Sequence, residues 1–227
     1  MESPIRPSDA DRAQIAADPD FRLIETFGWH PGEGFRHVDR HLARMARSAR
    51  VFGVSFDRDS AARILEPVAG QAALRCRLTL DASGRFDLTV ADLGAPPAVW
   101  VLDLSPVTLS SQDLWLGHKS TRRAIYDQAR ANLPEGVDEL LFVNEQGALC
   151  EGTITNLFVT LADGTHATPP LSAGLLPGIL RETLLAEALA GKEVIEKNLA
   201  PGDLTTARAI FVGNSLRGLI KAEMKQA

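Results

Sequence analysis

The amino-acid sequence predicts an α+β fold built from two lobes. The first half combines helix-spaced apolar stretches with an alternating hairpin, and the second half mixes strands and helices in no fixed order. Such a mixture is typical of the α+β class, whereas a parallel α/β sheet requires strand and helix to alternate regularly. The polar stretch 105–113, which contains Pro106, is the predicted link between the lobes. We therefore expect an N-terminal lobe at residues 1–108 and a C-terminal lobe at residues 109–227.

The N-terminal lobe is predicted to contain two helices and a hairpin. Apolar residues recur at helical spacing after Asp39, the predicted N-cap, and Gly53 ends this helix. A second helix includes residues 61–68 and ends at Gly70. Apolar and polar residues alternate on both sides of the turn 81–84, which predicts the hairpin. In chain order the predicted elements are a loosely ordered polar arm or short helix (1–20), a strand (21–27), helices (39–52 and 61–68) and strands (74–80, 86–90 and 99–104).

The C-terminal lobe is predicted to open with a helix that starts directly after Lys119. Either Ser120 or Thr121 can cap that helix, which ends near Pro134. A glycine-rich loop over 174–178 precedes a second helix. In chain order the predicted elements are a helix (120–133), strands (139–144 and 149–161), a helix (179–190), a strand (193–199), a short helix (203–207) and a strand (209–212).

Composition and charge exclude several classes of protein. The formal net charge is -5 and no long basic run occurs, which argues against a nucleic-acid partner. Cys76 and Cys150 have neither metal-binding spacing nor a disulfide framework, as in proteins of a reducing compartment. No apolar segment is long enough to cross a bilayer, and residues 1–20 lack the apolar core of a secretory signal. The sequence therefore predicts a soluble, cytoplasmic protein without a membrane partner.

Lys119 is the first candidate for a catalytic residue. The partial positive charge at the start of a helix disfavours a second positive charge nearby, so a lysine just before a helix should lose its proton readily. A neutral amine is the form that Schiff-base chemistry requires. The alternative is a solvated surface lysine, which describes most lysines in proteins.

Glu151 is the second candidate, because it interrupts an otherwise apolar or hydroxylated strand beside Gly152. A buried carboxylate needs a partner. A protonated pyridine nitrogen is one such partner, and a carboxylate there keeps the ring cationic, as pyridoxal phosphate chemistry requires. The alternative is a glutamate on the solvent face of its strand.

Several groups are candidates for binding a phosphate. Gly178 permits close approach at the start of a helix whose first N–H groups, those of Ile179 and Leu180, have no partner within the helix. Ser215 offers a hydroxyl after an apolar strand, and Arg44 can pair with phosphate through two nitrogens. The alternatives are an ordinary glycine turn, a turn at a strand end and a solvated arginine. No zinc-binding spacing, Walker loop or serine elbow supports another chemistry.

A nucleophilic lysine, a ring-facing carboxylate and several phosphate donors occur together, and the stretches around them resemble the class IV aminotransferases, the fold-type-IV pyridoxal-phosphate enzymes. The resemblance extends from Phe21 to Ala222. The stretches that resemble the family are Leu23-Ile24-Glu25-Thr26, His41-Leu42-Ala43-Arg44-Met45, Lys119, Glu151 with Asn156-Leu157-Phe158, Leu176-Pro177-Gly178-Ile179 and Asn214-Ser215. The stretches that most resemble the aminodeoxychorismate lyase branch are His118-Lys119-Ser120-Thr121-Arg122-Arg123 with Tyr126-Asp127, Thr168-Pro169-Pro170 with residues 174–178, and Asn214-Ser215-Leu216-Arg217-Gly218.

This resemblance implies a small α/β N-terminal lobe and a larger, barrel-like C-terminal lobe. It implies that Lys119 binds pyridoxal 5'-phosphate covalently and moves protons at the substrate carbon, that Glu151 pairs with the pyridine nitrogen, and that Leu176 packs against the ring. The groups that would hold the phosphate are Arg44, the N–H groups of Ile179 and Leu180, and Ser215. The family usually pairs two protomers, which implies a homodimer.

The expected substrate is a small molecule. The lyase branch eliminates pyruvate from 4-amino-4-deoxychorismate to give 4-aminobenzoate for folate biosynthesis, and we expect this reaction. Asn214 and Arg217 are our candidates for facing the substrate, because an arginine can pair with a carboxylate. The alternatives are a transaminase for branched-chain or D-amino acids and a non-catalytic binding protein.

The sequence departs from the family at its start. Many members have an additional strand and a Gly-Asp-Gly-like turn before the Glu-Thr strand, where this sequence has only a polar arm before Phe21. One wall of the substrate pocket is therefore expected to be missing or to come from a partner subunit.

Overall fold

The computed structural model describes residues 7–95, 98–189 and 191–226. By their contacts, the residues divide into unit 1 (Met1–Ala95 with His118–Arg122) and unit 2 (Pro96–Gly117 with Arg123–Ala227). The short segment that contains Lys119 thus belongs to unit 1, although it lies between two stretches of unit 2 in the chain. The domain boundary at residue 108 stays a prediction.

Unit 1 is an antiparallel sheet with helices. Its elements are α1 (Asp9–Ala17), β1 (Arg22–His30), β2 (Gly34–Phe35), α2 (Val38–Phe52), α3 (Arg58–Leu65), β3 (Leu74–Asp81) and β4 (Phe86–Asp92). The strand order is β2-β1-β3-β4. Cys76, Leu78 and Leu80 on β3 are buried at every second position, as the alternating pattern predicted.

Helix α2 packs against β1 through its apolar stripe. It ends at Gly53, which adopts φ 74° and donates its N–H to the carbonyls of Ala49 and Arg50, so the predicted stop is confirmed. The predicted N-cap is wrong, because His37 occupies that position and Asp39 lies in the first turn. The carboxylate of Asp39 pairs instead with Arg58 on the protein surface.

Residues 118–122 run alongside β1 and are held there by backbone hydrogen bonds. The N–H of Ile24 donates to the carbonyl of Lys119 at 2.8 Å, and the N–H of Thr121 donates to the carbonyl of Arg22 at 2.9 Å. The predicted helix directly after Lys119 is therefore wrong, and the helix α4 spans only Ala124–Ala131.

Unit 2 contains a closed six-stranded barrel, which agrees with the expected barrel-like lobe. Besides α4, its elements are β5 (Val99–Leu109), β6 (Glu139–Asn144), β7 (Leu149–Gly152), β8 (Asn156–Thr160), β9 (His166–Thr168), α5 (Ile179–Glu187), β10 (Val194–Glu196), α6 (Pro201–Thr206), β11 (Ala209–Asn214) and β12 (Gly218–Met224). The strands follow the order β8-β11-β12-β5-β6-β7, and pairing of β7 with β8 closes the barrel. Leucines fill its core, among them Leu102, Leu141 and Leu157. Together the two units confirm the α+β class.

Several predictions of secondary structure in unit 2 are wrong. Residues 105–109, which lie in the predicted irregular link, form the end of strand β5. The pairing of β5 with β6 shifts between Leu104 and Thr108, and Pro106, which has no N–H to donate, lies in that irregularity. The strands β9 and β12 were missed, and the stretch predicted as one strand over 149–161 forms β7 and β8.

The helices of the described residues, 7–95, 98–189 and 191–226, include none that is long and apolar enough to cross a membrane.

Candidate active site

Unit 1 buries a charged cluster beneath α2, which we call the Glu25 group and which consists of Glu25, His41 and Arg44. The guanidinium of Arg44 donates from Nε to Oε1 of Glu25 at 2.8 Å and from Nη2 to Oε2 at 2.6 Å. The Nδ1 atom of His41 lies 2.5 Å from Oε2 of the same carboxylate. All three residues are at most 5% exposed. The planar guanidinium is thus oriented by a two-point contact with one carboxylate.

The opposite charges within the Glu25 group offset the free-energy cost of burying these side chains. Burial alone would raise the pKa of Glu25, but the positive charge of Arg44 and hydrogen bonds from His41 and Arg44 lower it to about 2. Burial lowers the pKa of His41, and the positive charges of Arg44 and Lys119 add to this effect, whereas Glu25 opposes it. The charge of Lys119 therefore acts on the same cluster that holds Arg44.

The structure changes the argument for a reactive Lys119. The helix α4 starts at Ala124 and its N-cap, Arg123, makes no side-chain capping bond, so Lys119 does not lie at a helix start. The hydroxyls of Ser120 and Thr121 accept hydrogen bonds from the N–H groups of Arg122 and Arg22 and do not cap the helix.

His118, directly before Lys119, lies in a partly apolar environment. Its ring packs edge-on against Phe52 with ring centres 4.6 Å apart, and its Nδ1 lies 2.9 Å from the hydroxyl of Ser48. Burial lowers the pKa of His118 to about 4, so the side chain is neutral at physiological pH.

Unit 2 contains the second cluster, which we call the Glu151 group and which consists of Tyr126, Glu151, Asn156 and Leu176. Glu151 is 6% exposed, so the prediction of a buried carboxylate is confirmed. Its Oε1 accepts hydrogen bonds from the hydroxyl of Tyr126 at 2.7 Å and from the N–H of Leu176 at 3.1 Å. The side-chain amide of Asn156 donates to its Oε2 at 3.2 Å and to the carbonyl of Leu176 at 3.0 Å.

These contacts fix the orientation of Glu151. Burial raises the pKa of Tyr126, and the negative charge of Glu151 raises it further, so the phenol keeps its proton and acts as a hydrogen-bond donor. The ring of Tyr126 packs edge-on against Phe142 at 5.1 Å, which holds the donor in place.

The first turn of α5 lies beside the Glu151 group. No side chain among the described residues caps α5 at its N-cap residue, Gly178. A Cβ atom at Gly178 would lie 1.9 Å from Oδ1 of Asn156, so a residue with a side chain would displace the Asn156 amide that donates to Glu151. A Cβ atom at Gly213 would lie 2.7 Å from the Leu180 side chain, which places the end of β11 against the same turn.

Asn214 organises the turn between β11 and β12. Its Oδ1 accepts hydrogen bonds from the N–H groups of Leu216 and Arg217, at 3.1 and 3.0 Å, and its amide donates to the carbonyl of Ile154 at 3.2 Å. The side chain thus shapes the turn on which Ser215 and Arg217 lie, and both of these residues are half-buried.

The structure therefore brings the predicted site residues together as two sets. Unit 1 contains Arg44 and Lys119 around the Glu25 group, and unit 2 contains Glu151, Leu176, Ile179, Leu180, Asn214, Ser215 and Arg217. The roles assigned to these residues stay predictions. Sequence reasoning missed the contacts of Glu25, Tyr126 and Asn156, although a glutamate within the apolar strand β1 was a signal of the kind used for Glu151.

Comparison with known proteins identifies the class to which this fold and these clusters belong. The family model described as amino-transferase class IV matches residues 22–223. The chain belongs to this family of pyridoxal-phosphate-dependent enzymes, which includes both lyases and transaminases.

Some of the similar proteins are named as lyases and others as aminotransferases. A Schizosaccharomyces pombe protein provisionally named aminodeoxychorismate lyase is 31% identical over 191 aligned residues, with coverage of 80% of this chain and 80% of that one. The crystal structure of a Mesorhizobium loti protein, provisionally described as an amino-acid aminotransferase, is 43% identical with a TM-score of 0.84 and covers 91% of this chain and 100% of that one. A hypothetical Mycobacterium tuberculosis aminotransferase in its PLP-bound form has the same fold, with 19% identity, a TM-score of 0.78, and coverage of 93% and 84%.

Proposed function

We propose that the protein is a pyridoxal-phosphate-dependent aminodeoxychorismate lyase. It would eliminate pyruvate from 4-amino-4-deoxychorismate and release 4-aminobenzoate, the precursor used in folate synthesis. The observation that carries this proposal is the match to the S. pombe protein over four fifths of both chains, together with the presence of Lys119 and the buried Glu151. We also propose that the enzyme is a cytoplasmic homodimer, as the sequence predicts.

The residues of unit 2 fit the cofactor. A carboxylate that accepts hydrogen bonds from three protein groups offers a fixed negative charge for a pyridine N–H, and an uncapped helix start offers N–H groups for a phosphate. When bound, pyridoxal phosphate would supply an electron sink for the substrate carbon that bears the amine. Glu151 would keep a proton on the ring nitrogen, and the half-buried Leu176 would pack against the ring.

Four predicted groups are candidates for holding the phosphate of the cofactor. Arg44 would contribute its guanidinium, which Glu25 orients, and unit 2 would contribute the N–H groups of Ile179 and Leu180 and the hydroxyl of Ser215. Donors of this kind bind an anion without a counter-charge at every contact.

Lys119 would be the residue that moves protons. Its ε-amino group would hold the cofactor and would take the proton from the amine-bearing carbon of the substrate. The C–O bond to the enolpyruvyl group would break, the six-membered ring would become aromatic, and the released enol would become pyruvate. Asn214 and Arg217 are the proposed substrate-facing residues, with Arg217 as the partner of a substrate carboxylate.

The alternative is a class IV aminotransferase for branched-chain or D-amino acids. The observation that favours it is the 43% identity to the M. loti protein described as an amino-acid aminotransferase. Both reactions need the same electron sink and the same base, so the residues around the cofactor do not distinguish them.

The test supplies cofactor-loaded protein with 4-amino-4-deoxychorismate, made in place by a synthase, and quantifies 4-aminobenzoate and pyruvate. The lyase predicts the two products in equal amounts, and none with Lys119→Ala. The exposed Lys221 provides the matched control, because Lys221→Ala removes a lysine far from either cluster in sequence and should leave the rate unchanged.

Three other outcomes of this experiment would each contradict part of the proposal. Protein that binds the cofactor but forms no 4-aminobenzoate would move the assignment to transamination, tested with a panel of amino donors. Protein that shows no cofactor absorbance would support the third possibility, a non-catalytic binding protein. Absorbance that persists in Lys119→Ala would show that the lysine assignment is wrong.

A further inference from the structure

A second buried carboxylate, Glu139, lies beneath the hairpin that presents Glu151. Glu139 is the first residue of β6 and is 0% exposed. Its Oε1 accepts hydrogen bonds from the N–H and the hydroxyl of Thr153, and its Oε2 accepts from the N–H of Ile154 at 3.2 Å and the hydroxyl of Thr155 at 3.0 Å. Every residue of the turn 153–155 thus donates to this one side chain.

This turn determines how the two strands of the hairpin are placed. It joins the end of β7 to the start of β8, where Glu151 and Asn156 are direct cross-strand partners. Next to them, the N–H of Gly152 donates to the carbonyl of Thr155 at 2.8 Å. Because Asn156 also donates to Glu151, any shift of the turn moves both members of that contact.

Gly152 leaves the space that the Glu139 carboxylate occupies. A Cβ atom at position 152 would lie 2.8 Å from Cγ and Cδ of Glu139 and 2.5 Å from the hydroxyl oxygen of Thr155, closer than carbon atoms approach without displacement. Helix α4 and its N-cap residue also contact this region, since Arg123 donates to the carbonyl of Thr153 at 2.9 Å and Arg130 lies 3.7 Å from Glu139.

We propose that Glu139 is a positioning residue, which acts on the reaction by fixing Glu151 and Asn156 through the 153–155 turn. Hydrogen bonds to a charged acceptor are stronger than neutral ones, and four of them converge on residues next to the hairpin strands. The expected effect of Glu139 on catalysis rests on the proposed function of Glu151, whereas its expected effect on the structure of the hairpin does not.

The first experiment uses the protein without cofactor and compares Glu139→Gln with Asp138→Asn. A glutamine amide has a similar size but only one acceptor oxygen, so it cannot accept from the N–H groups of both Thr153 and Ile154. Asp138→Asn is the matched control, because it makes the same chemical change at the neighbouring residue, whose carboxylate accepts the N–H of Val101 at 2.8 Å.

Amide hydrogen exchange and the NMR signals of the Asn156 side-chain amide are the readouts. Glu139→Gln should speed exchange at Thr153 and Ile154 by about tenfold and shift the Asn156 signals, since its contact with Glu151 changes. Asp138→Asn should leave both unchanged. Unchanged exchange and signals in Glu139→Gln, in a folded protein, would overturn the proposal. If that variant does not fold, Thr155→Val removes one hydrogen bond to Glu139 and is measured in the same way.

The second experiment tests catalysis through a double-mutant cycle with Glu151→Gln. If Glu139 acts through Glu151, Glu139→Gln lowers kcat about tenfold in the natural sequence and less than about twofold in the Glu151→Gln background. An equal loss in both backgrounds would show that Glu139 acts independently of Glu151 and would overturn the proposal. A natural sequence that binds no cofactor would contradict the proposed function instead, and the exchange experiment would still decide whether Glu139 positions the hairpin.

Discussion

Glu25 and Glu151 are both buried glutamates on core strands, but different kinds of group stabilise them. Glu25 receives its hydrogen bonds from the cationic Arg44 and from His41. Glu151 receives hydrogen bonds from three neutral donors, the Tyr126 phenol, the Asn156 amide and a backbone N–H. The same residue type is therefore placed in two electrostatic environments, one in each unit.

The comparison indicates how each carboxylate can serve the proposed reaction. A carboxylate paired with an arginine through two bonds fixes the plane of the guanidinium, so Glu25 prepares Arg44 to meet an anion. Neutral donors orient a carboxylate without cancelling its charge, so the contacts with Tyr126, Asn156 and Leu176 are compatible with the proposed pairing of Glu151 with a protonated ring. Four predictions test this difference, in order of expected effect.

The largest effect is expected from Glu25→Gln. Removing one partner of a buried ion pair takes from Arg44 its two-point contact with the carboxylate, and the free energy of unfolding should fall by about 3–5 kcal/mol. Urea unfolding of the protein without cofactor measures it. Asp39→Asn is the control, because it breaks the exposed pair with Arg58 and should cost less than about 1 kcal/mol. Equal losses in the two variants would contradict a special role for the buried pair.

The second prediction concerns Glu151→Gln. An amide cannot supply the negative charge that holds a proton on the ring nitrogen, so kcat should fall about 100-fold, while cofactor affinity changes much less. Steady-state kinetics and a cofactor titration measure the two quantities. Glu145→Gln alters another carboxylate of unit 2, which binds Ser111, and should leave kcat unchanged. A loss of affinity without a loss of kcat would mean that Glu151 only helps to hold the cofactor.

Tyr126→Phe should have a smaller effect on stability. The variant removes the hydroxyl that donates to Glu151 but keeps the ring that packs against Phe142. Loss of a hydrogen bond to a charged group should lower the free energy of unfolding by about 2 kcal/mol. The same urea experiment measures it, and an unchanged midpoint would show that Glu151 does not depend on this donor.

The fourth prediction is a pH dependence of stability in unit 1. His118 has a pKa of about 4 in the folded protein and an ordinary value of 6.5, so the unfolded chain binds the proton more tightly. Stability from this group is complete above pH 6.5 and is lost as the pH falls toward 4, by about 2 kcal/mol after allowance for its partial exposure. Glu25 titrates at lower pH, because its pKa is about 2 in the folded protein and 4.5 ordinarily. The stability that it contributes is therefore lost as the pH falls from 4.5 toward 2.

The free energy of unfolding is measured at several pH values for the natural sequence and for His118→Asn, and the difference between the two isolates this effect. His41 also has a lowered pKa and contributes equally to both proteins, so it cancels in the difference. The gap in stability between the two should shrink from pH 7 to pH 4. A constant gap would show that His118 does not titrate as its burial implies.

Local patterns determined part of this structure. The helix α2 with its stop at Gly53, the β3–β4 hairpin, and the strand β6 were predicted correctly, because their periodicity and end signals lie within a few neighbouring residues. The burial of Glu151 was also predicted, since a single carboxylate in an apolar strand is visible in the sequence. The motifs around Lys119, Glu151 and Gly178 pointed to the family that the comparison confirmed.

Contacts between residues that are distant in the chain were decided only by the tertiary structure. Thr121 was predicted as a helix cap, but its hydroxyl accepts the N–H of Arg22, 99 residues away, because pairing beside β1 satisfies that backbone group. The strand β12 pairs with β5 and the strand β9 pairs with β10, so both are completed by strands from other parts of the chain. The sequence by itself determined which chemical groups this protein has. Tertiary packing decided which donors surround Glu25, Glu139 and Glu151, because a buried charge is stabilised by whichever groups the fold brings to it.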